Sequence, residues 1–398
     1  MMTKANTQLP PVYRAAPGRV GNSVVLWLQP GPEHYFVAML DKLNAMQASL
    51  RFHALYLRDQ NPNAAPQLVL KNSPATFVGR RRMSNGTAAR PVLEAIKFDA
   101  AIIGGYNTAF RRAAIRYCIS HGLPVVMFAD SNLRSDRGTA IKTRLRRLVK
   151  HLYLRRLCRS LDAIVPCNRL GVAYWRYYGA QPQQIHRSTY FCSLPDLAAA
   201  ELTSRAGVLE RYHLPVSARL LFTAARLVSV KALHLMIQAF AEAKLADKGW
   251  TWLVAGAGPL RDKLTAAARR TAGDGIRFLG IVPPDDVKAL ARHSDIFVLP
   301  STYEPHGIVV PEALAVGTPV IASDVCGAAH DLVIEGKTGW IFQNGSAQSL
   351  REKLVVATGN PEGLAAMRPA CRAHFLAWYE RFGPEHVFPK LLHQLLDR

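Results

Sequence analysis

The sequence predicts an α/β protein built from two Rossmann-like, doubly wound parallel sheets. Short apolar runs alternate with amphipathic segments of helix length, which is the pattern of βαβ units. The alternation runs once through the first half of the chain and starts again near residue 218. At 398 residues the chain is also longer than one hydrophobic core usually grows, so two domains are expected.

The first series predicts five buried strands, because each run is apolar throughout, as a strand covered on both faces requires. These runs are 23–30, 50–57, 99–106, 124–130 and 162–167. Helical stretches separate them. We assign residues 1–200 to this N-terminal domain.

The second series predicts six further strands beyond a linker near 190–215. They are 218–227, 251–258, 276–282, 295–301, 318–324 and 338–342. We assign residues 201–375 to the C-terminal domain and expect the last helix, about 376–398, to pack back on the first domain. Two such domains face each other across a cleft, and ligands of open parallel sheets bind at the carboxyl ends of the strands.

Composition limits the partners and the location. The chain has 50 Lys and Arg against 28 Asp and Glu, a net charge of +22, which calls for nucleic acid, phosphorylated small molecules or an acidic membrane surface. Its first residues resemble no export signal and no run of about 18 apolar residues occurs, so a cytoplasmic location is expected. The six cysteines lack the spacing of a metal site or a disulfide framework.

The stretch "STYEPHGIVVPEALAVGTPVIASD", residues 301–324, predicts a strand-to-helix turn that carries two carboxylates, Glu304 and Glu312. The helix is expected to begin at 307–309 and to stop at Gly317.

Gly307 allows a ligand close to the backbone, and the N–H groups behind it suit an anion. Carboxylates accept strong hydrogen bonds from hydroxyl groups, so Glu304 and Glu312 beside that anion site suit a sugar linked to phosphate. The simpler interpretation is two solvated acids at a helix start.

The segment "EPHGIVVPEALAVGTPVIASDVCGAAHDLVIEGKTGWIF" resembles the signature of the family 4 retaining glycosyltransferases, which have the GT-B fold. In that family a Glu, seven residues and a second Glu bind a nucleotide sugar. Three upstream segments are similar in the same order: "FTAARLVSVKALHLMIQAF", "LVAGAGPLRDKL" and "FLGIVPPDDVKALARHSDIFVLPS". The resemblance is strong over residues 218–345 and extends to the first half only as a pattern.

The resemblance implies a role for each matching position. Arg226 and Lys231 contact the donor diphosphate, Glu304 holds the sugar and Glu312 holds the ribose. The backbone around His306, Gly307, Ile308 and Val309 also holds the sugar. The backbone near Ile281 and Val282 faces the base. Gly256, in "GAGP", forms a wall of the donor cleft, although such a turn more often only packs a helix on a strand.

The sequence departs from the family at several positions. Ala225 and Ala232 stand where the family often has Gly. Where many members place a His after the strand 124–130, this chain has Asp130, which becomes a candidate to bind the sugar or the acceptor, or caps a turn. Tyr106 and Asn107 are candidate acceptor contacts or turn residues.

The implied function is transfer of a sugar from a nucleotide-sugar donor to a saccharide or lipid-linked acceptor, with retention of anomeric configuration, in polysaccharide, lipopolysaccharide or glycolipid synthesis. The N-terminal domain would bind the acceptor and the C-terminal domain the donor. No Asp-x-Asp motif occurs, so no divalent metal and no cofactor are expected. Two alternatives remain: a GT-B sugar epimerase or phosphorylase, and a nucleic-acid binder, for which basic-aromatic interleaving is missing.

The excess charge is concentrated in residues 141–160, where eight of twenty residues are Lys or Arg. Four apolar residues recur at helical spacing: Ile141, Leu145, Leu148 and Leu152. One interpretation is a domain helix that buries this stripe in the core. The other is an attachment site for an anionic membrane surface, peripheral on the inner face of the cell membrane and without insertion.

Overall fold

The computed structural model describes residues 23–30, 34–46, 48–57, 73–78, 86–135, 141–192 and 204–398; within these ranges the side chains of 34, 135 and 141–147 are left out of the description.

The N-terminal domain contains a six-stranded parallel sheet in the order β3-β2-β1-β4-β5-β6. Its strands are β1 Ser23–Gln29, β2 Leu50–Tyr56, β3 Ala75–Phe77, β4 Ala100–Gly104, β5 Val125–Ala129 and β6 Ala163–Pro166. Its helices are α1 His34–Met46, α2 Ala89–Ala95, α3 Ala109–Ser120, α4 Ile141–Cys158 and α5 Arg169–Tyr177.

The C-terminal domain repeats this architecture with the order β12-β11-β10-β7-β8-β9, again all parallel. Its strands are β7 Arg219–Ala224, β8 Trp250–Ala255, β9 Ile276–Gly280, β10 Ile296–Leu299, β11 Val320–Ser323 and β12 Gly339–Phe342. Its helices are α6 Arg205–Arg211, α7 Leu233–Glu242, α8 Arg261–Ala272, α9 Pro284–His293, α10 Val309–Ala315, α11 Gly327–Leu332, α12 Ala347–Thr358 and α13 Pro361–Phe382.

The predicted strands are confirmed, and β3 is an additional one. β3 has only three residues at the edge of its sheet, which is too short for an apolar run to indicate it. Nearly every predicted strand runs too far at its carboxyl end, because the residues there continue the pattern while the backbone already turns away. Those residues form the loops of the candidate site.

The chain returns to the N-terminal domain at its end. α13 packs in the C-terminal core, and after Gly383 the helix α14, Pro384–Leu396, packs on the N-terminal sheet. The Phe388 ring lies 4.5 Å from that of Trp27, measured between ring centroids. The buried Glu385 accepts a hydrogen bond of 2.7 Å from Lys42 on α1. Helix α14 therefore belongs to the core of the first domain.

The interpretation that α4 buries its apolar stripe is wrong for two of the four residues. Leu148 and Leu152 are 55% and 60% exposed. The helix instead buries Leu154, Leu157 and Cys158, which lie on a different face. Leucines occur on more than one side of α4, so the spacing alone selects the wrong face.

Ile141 and Leu145, the other two residues of the stripe, lie outside the described side chains. Among the helices that the structure describes, none is both long enough and apolar enough to cross a bilayer.

Candidate functional site

Loops at the carboxyl edges of the two sheets are in direct contact. The loop after β5 supplies Asn132 and the start of α5 supplies Asn168, and both side-chain amides donate to the backbone carbonyl of Pro305, at 3.4 and 3.0 Å. Pro305 lies in the turn between β10 and α10. Gly327 is required at this contact, since a Cβ there would lie 2.2 Å from both the Asn168 amide nitrogen and the Pro305 carbonyl oxygen. The predicted turn is thus held against the other domain.

Lys231 and Glu304, predicted to serve the same ligand, form an ion pair. Lys231 closes a short 3₁₀ turn after β7, and Glu304 follows β10, the neighbouring strand of the sheet. Their side chains are only 17% and 13% exposed. The Ser301 hydroxyl donates a second hydrogen bond to the Glu304 carboxylate, at 2.9 Å. A cation and an anion thus lie side by side, largely shielded from water, at the carboxyl edge of the C-terminal sheet.

Two backbone positions in these loops have left-handed conformations. Gly307 has φ +88°, and a Cβ there would lie 2.7 Å from the Cys326 sulfur. Ala232, directly after Lys231, has φ +49°. An L-residue pays about 1 kcal/mol or more for that conformation, which explains why Gly suits the equivalent position in the family that the sequence resembles.

The His306 side chain is committed to the domain contact. It is 2% exposed, its Nε2 lies 3.2 Å from the Thr189 hydroxyl, and its Nδ1 lies 3.4 Å from the Asn168 amide. Burial lowers the pKa of His306 to about 3, so the ring is neutral at physiological pH. A role of His306 in holding the sugar could therefore come only from its backbone, as the sequence predicts.

Asp130 faces the C-terminal domain from the end of β5. Tyr190 donates a hydrogen bond of 3.3 Å to its carboxylate. Burial raises the pKa of Asp130, and the Glu304 carboxylate raises it further by charge repulsion. The structure thus brings Asp130 of the first domain within electrostatic reach of Glu304 of the second.

Glu312 lies in the first turn of α10, which begins at Val309, within the predicted range. Burial raises the pKa of its carboxyl group to about 7, and the opposing effect of Lys288 is weaker. Within the described residues no group donates a hydrogen bond to this carboxylate. The acceptor capacity of Glu312 is therefore open to a ligand.

Four other predicted donor contacts lie on the loops after β7, β8 and β9. Arg226 is exposed, and Ile281 is 81% exposed, with Val282 partly buried beside it. Gly256 donates to the Gly280 carbonyl at 2.6 Å, and a Cβ at Gly256 would lie 1.9 Å from the Ala225 carbonyl oxygen. Gly256 thus packs these three loops together, and its contact with a ligand stays a prediction.

The two predicted acceptor contacts are engaged with their own domain. The Tyr106 hydroxyl lies 2.8 Å from that of Tyr174, and the Asn107 side chain accepts a hydrogen bond from Arg111. Asn107 is exposed and Tyr106 is partly buried. Their role toward an acceptor stays a prediction.

Sequence reasoning missed four residues that shape the site: Asn132, Asn168, Thr189 and Tyr190. Each reaches the turn around His306 or the carboxylate of Asp130. Asn132 lies two residues after the predicted site residue Asp130, so its polar amide and its position could have indicated a role in the site. Thr189 and Tyr190 lie where the chain leaves the N-terminal domain, and nothing in their local pattern distinguishes them from linker residues.

Residues 210–373 match the family model described as "Glycosyl transferases group 1". Among solved structures, HepE of Anabaena in complex with UDP matches 95% of this chain and 100% of its own, with a TM-score of 0.72 and 17% identity. At that identity the likeness shows a shared fold.

Two curated relatives match parts of the chain. WcaL of Salmonella typhimurium, named for colanic acid biosynthesis, is 28% identical over 205 residues, which cover 50% of this chain and 48% of WcaL. The amylovoran biosynthesis glycosyltransferase AmsK of Erwinia amylovora is 27% identical over 185 residues, which cover 45% of this chain and 44% of AmsK. The chain thus spans less than half the length of these relatives.

Proposed function

We propose that this chain is an enzyme that transfers a sugar from a nucleotide sugar to a saccharide or lipid-linked acceptor. The chain has the GT-B fold, and its residues 210–373 match the family model for group 1 glycosyl transferases. The observation that carries the proposal is the shielded Lys231–Glu304 pair, which lies at the carboxyl edge of the C-terminal parallel sheet. Ligands of such sheets bind at this edge.

The donor would bind to the C-terminal domain. Arg226 and Lys231 offer two cations to the diphosphate, and Glu304 accepts from a sugar hydroxyl. The exposed Ile281 gives the base an apolar contact, and Glu312 accepts from the ribose hydroxyls. The UDP in the HepE structure supports a nucleotide as the ligand of this fold; which base this chain selects is part of the test.

In the chemical step the nucleoside diphosphate leaves the anomeric carbon and an acceptor oxygen bonds to that carbon. The proton of the acceptor hydroxyl passes to the departing phosphate. Negative charge grows on the leaving phosphate as the bond breaks. Arg226 and Lys231 stabilise that charge, and Lys231 does so more strongly than it would in water because its side chain is largely shielded. Asp130, opposite Glu304, would bind a hydroxyl of the sugar or the acceptor.

We propose that transfer retains the anomeric configuration and needs neither a divalent metal nor another cofactor. Retention rests on the resemblance of the segment 304–342 to retaining enzymes, and metal independence on the two protein cations that serve the diphosphate. The products would be saccharides or glycolipids, as the names of WcaL and AmsK suggest.

A panel of nucleotide sugars tests the proposal. Thermal unfolding is measured with each compound, and slow hydrolysis of the donor is followed by release of nucleoside diphosphate. We expect one donor to raise the melting temperature of the wild type, and the Arg226→Ala, Lys231→Ala double variant to lose most of that shift and the hydrolysis. An unchanged melting temperature across the panel would contradict the proposal. The configuration of the product, read by NMR, tests retention.

A further inference from the structure

Helix α4 leaves an aliphatic cluster on its surface, apart from the face through which it buries Leu154 and Leu157. Leu148, Val149 and Leu152 are 55%, 59% and 60% exposed. Lys150, in the same turn, lies over the aromatic rings of Tyr174 and Tyr178, at 5.1 and 5.5 Å from their centroids. A soluble helix normally buries its leucines and exposes its lysines. The exposed aliphatic cluster therefore indicates a partner for this face.

The aliphatic cluster continues onto the neighbouring helices. Tyr153 is 37% exposed, and its hydroxyl interacts electrostatically with Arg112 and Arg116 on α3. The Tyr177 ring of α5 is 60% exposed and lies 5.4 Å from His151 of α4. We call this surface the basic-apolar face; its apolar members are Leu148, Val149, Leu152, Tyr153 and Tyr177.

Positive charge surrounds this apolar cluster. The sequences of α3, α4 and α5 contain twelve Lys and Arg and not one Asp or Glu. Exposed cations of this region are Arg116, Arg155, Arg156, Arg159 and Arg176. Such a field attracts anions, and it repels a second copy of the same face.

We infer that the basic-apolar face docks on an anionic lipid bilayer and that its aliphatic side chains enter the boundary between headgroups and acyl chains. A bilayer with acidic headgroups offers negative charge to the arginines and hydrocarbon to the leucines at the same time. Nucleic acid offers the negative charge but no hydrocarbon. The cores of protein interfaces are depleted in charge, so a protein partner fits this face less well.

Entry of Leu148 and Leu152 distinguishes this attachment from a purely electrostatic one. Electrostatic attraction is screened by salt, whereas transfer of aliphatic surface out of water is not. Binding to vesicles of phosphatidylglycerol and phosphatidylcholine should therefore weaken in high salt but leave a measurable remainder. Vesicle binding does not depend on sugar transfer, so this inference and the proposed function can fail independently.

The experiment is co-sedimentation of the full chain with such vesicles, and with phosphatidylcholine alone, in low and high salt. A Leu148→Gln, Leu152→Gln variant should bind about tenfold less and lose the salt-resistant remainder. An Arg155→Gln, Arg156→Gln variant should lose roughly 30-fold at low salt, from about 1 kcal/mol for each cation. Both pairs are exposed, so folding should be unaffected.

Matched controls lie on the other domain. Val355→Gln, Val356→Gln on α12 removes two exposed aliphatic residues, and Arg269→Gln, Arg270→Gln on α8 removes two exposed arginines. Both control variants should bind like the wild type. The inference is overturned if the leucine variant binds as tightly as the wild type, or if no form pellets with anionic vesicles. It is also overturned if light scattering shows a dimer that the leucine variant loses, since the face would then join two copies.

Discussion

Lys231 and Glu304 form an ion pair although 73 residues separate them along the chain. One follows β7 and the other follows β10, and these strands are neighbours in the C-terminal sheet. Parallel strand order alone thus places a cation and an anion from distant segments side by side. The proposed donor site depends on this relationship.

A single and a double variant of this pair separate its structural role from its proposed role in transfer. Lys231→Met leaves the shielded Glu304 carboxylate without its counter-ion and should lower the free energy of unfolding by about 2 kcal/mol. Adding Glu304→Gln should restore most of that stability, because the unpaired charge is removed. Transfer should stay low in both variants. Stability is measured by urea denaturation and transfer by kcat; recovery of kcat in the double variant would contradict a role in catalysis.

Arg226 offers a complementary case, because it is exposed and its removal should not affect folding. Arg226→Ala should reduce kcat about 10²- to 10³-fold, the cost of losing one group that stabilises developing negative charge. The melting temperature should stay unchanged. Arg269→Ala, an exposed arginine on α8, is the matched control and should leave kcat unaltered. Equal values of kcat in the two variants would show that Arg226 is not part of the site.

Metal dependence is tested directly on the wild type. Because Arg226 and Lys231 are proposed to take the part that a divalent ion would play at the diphosphate, transfer should continue in excess EDTA with an unchanged kcat. A rate that disappears with EDTA and returns with magnesium or manganese would show that a metal serves the diphosphate.

The strands and the turn around Glu304 could be predicted because they depend on local patterns: apolar runs, prolines and a glycine at a helix end. The contacts between domains could not. Tyr190 contacts Asp130 from 60 residues away along the chain, and the buried His306 contacts Thr189 and Asn168 of the other domain. Such contacts between distant segments leave no periodic trace in the sequence.

The exposed face of α4 was mispredicted for a related reason. Leu148 and Leu152 have helical spacing on one side of α4 but are exposed. Leu154 and Leu157, on another side, are the residues that pack in the core. Local spacing cannot decide which face a neighbouring sheet will cover.

The last prediction concerns Glu312, whose pKa burial raises from 4.5 to about 7. The folded state therefore favours the protonated form. That contribution to stability is complete below pH 4.5 and is lost as the pH rises through 7. Glu312→Gln stays neutral throughout, so at pH 8 it should be more stable than the wild type by up to about 3 kcal/mol. At pH 5 the difference should fall below about 1 kcal/mol.

The same substitution should weaken binding of the nucleotide sugar about tenfold, since a carboxylate accepts hydrogen bonds from the ribose more strongly than an amide does. Wild-type affinity should also rise between pH 5.5 and 8, as the carboxyl group ionises, whereas the affinity of the variant should not. Urea denaturation and titration calorimetry measure the two effects, with the exposed Glu362→Gln on α13 as control. A variant that gains stability but binds the donor as tightly as the wild type would show that Glu312 is a partly buried acid with no part in nucleotide recognition.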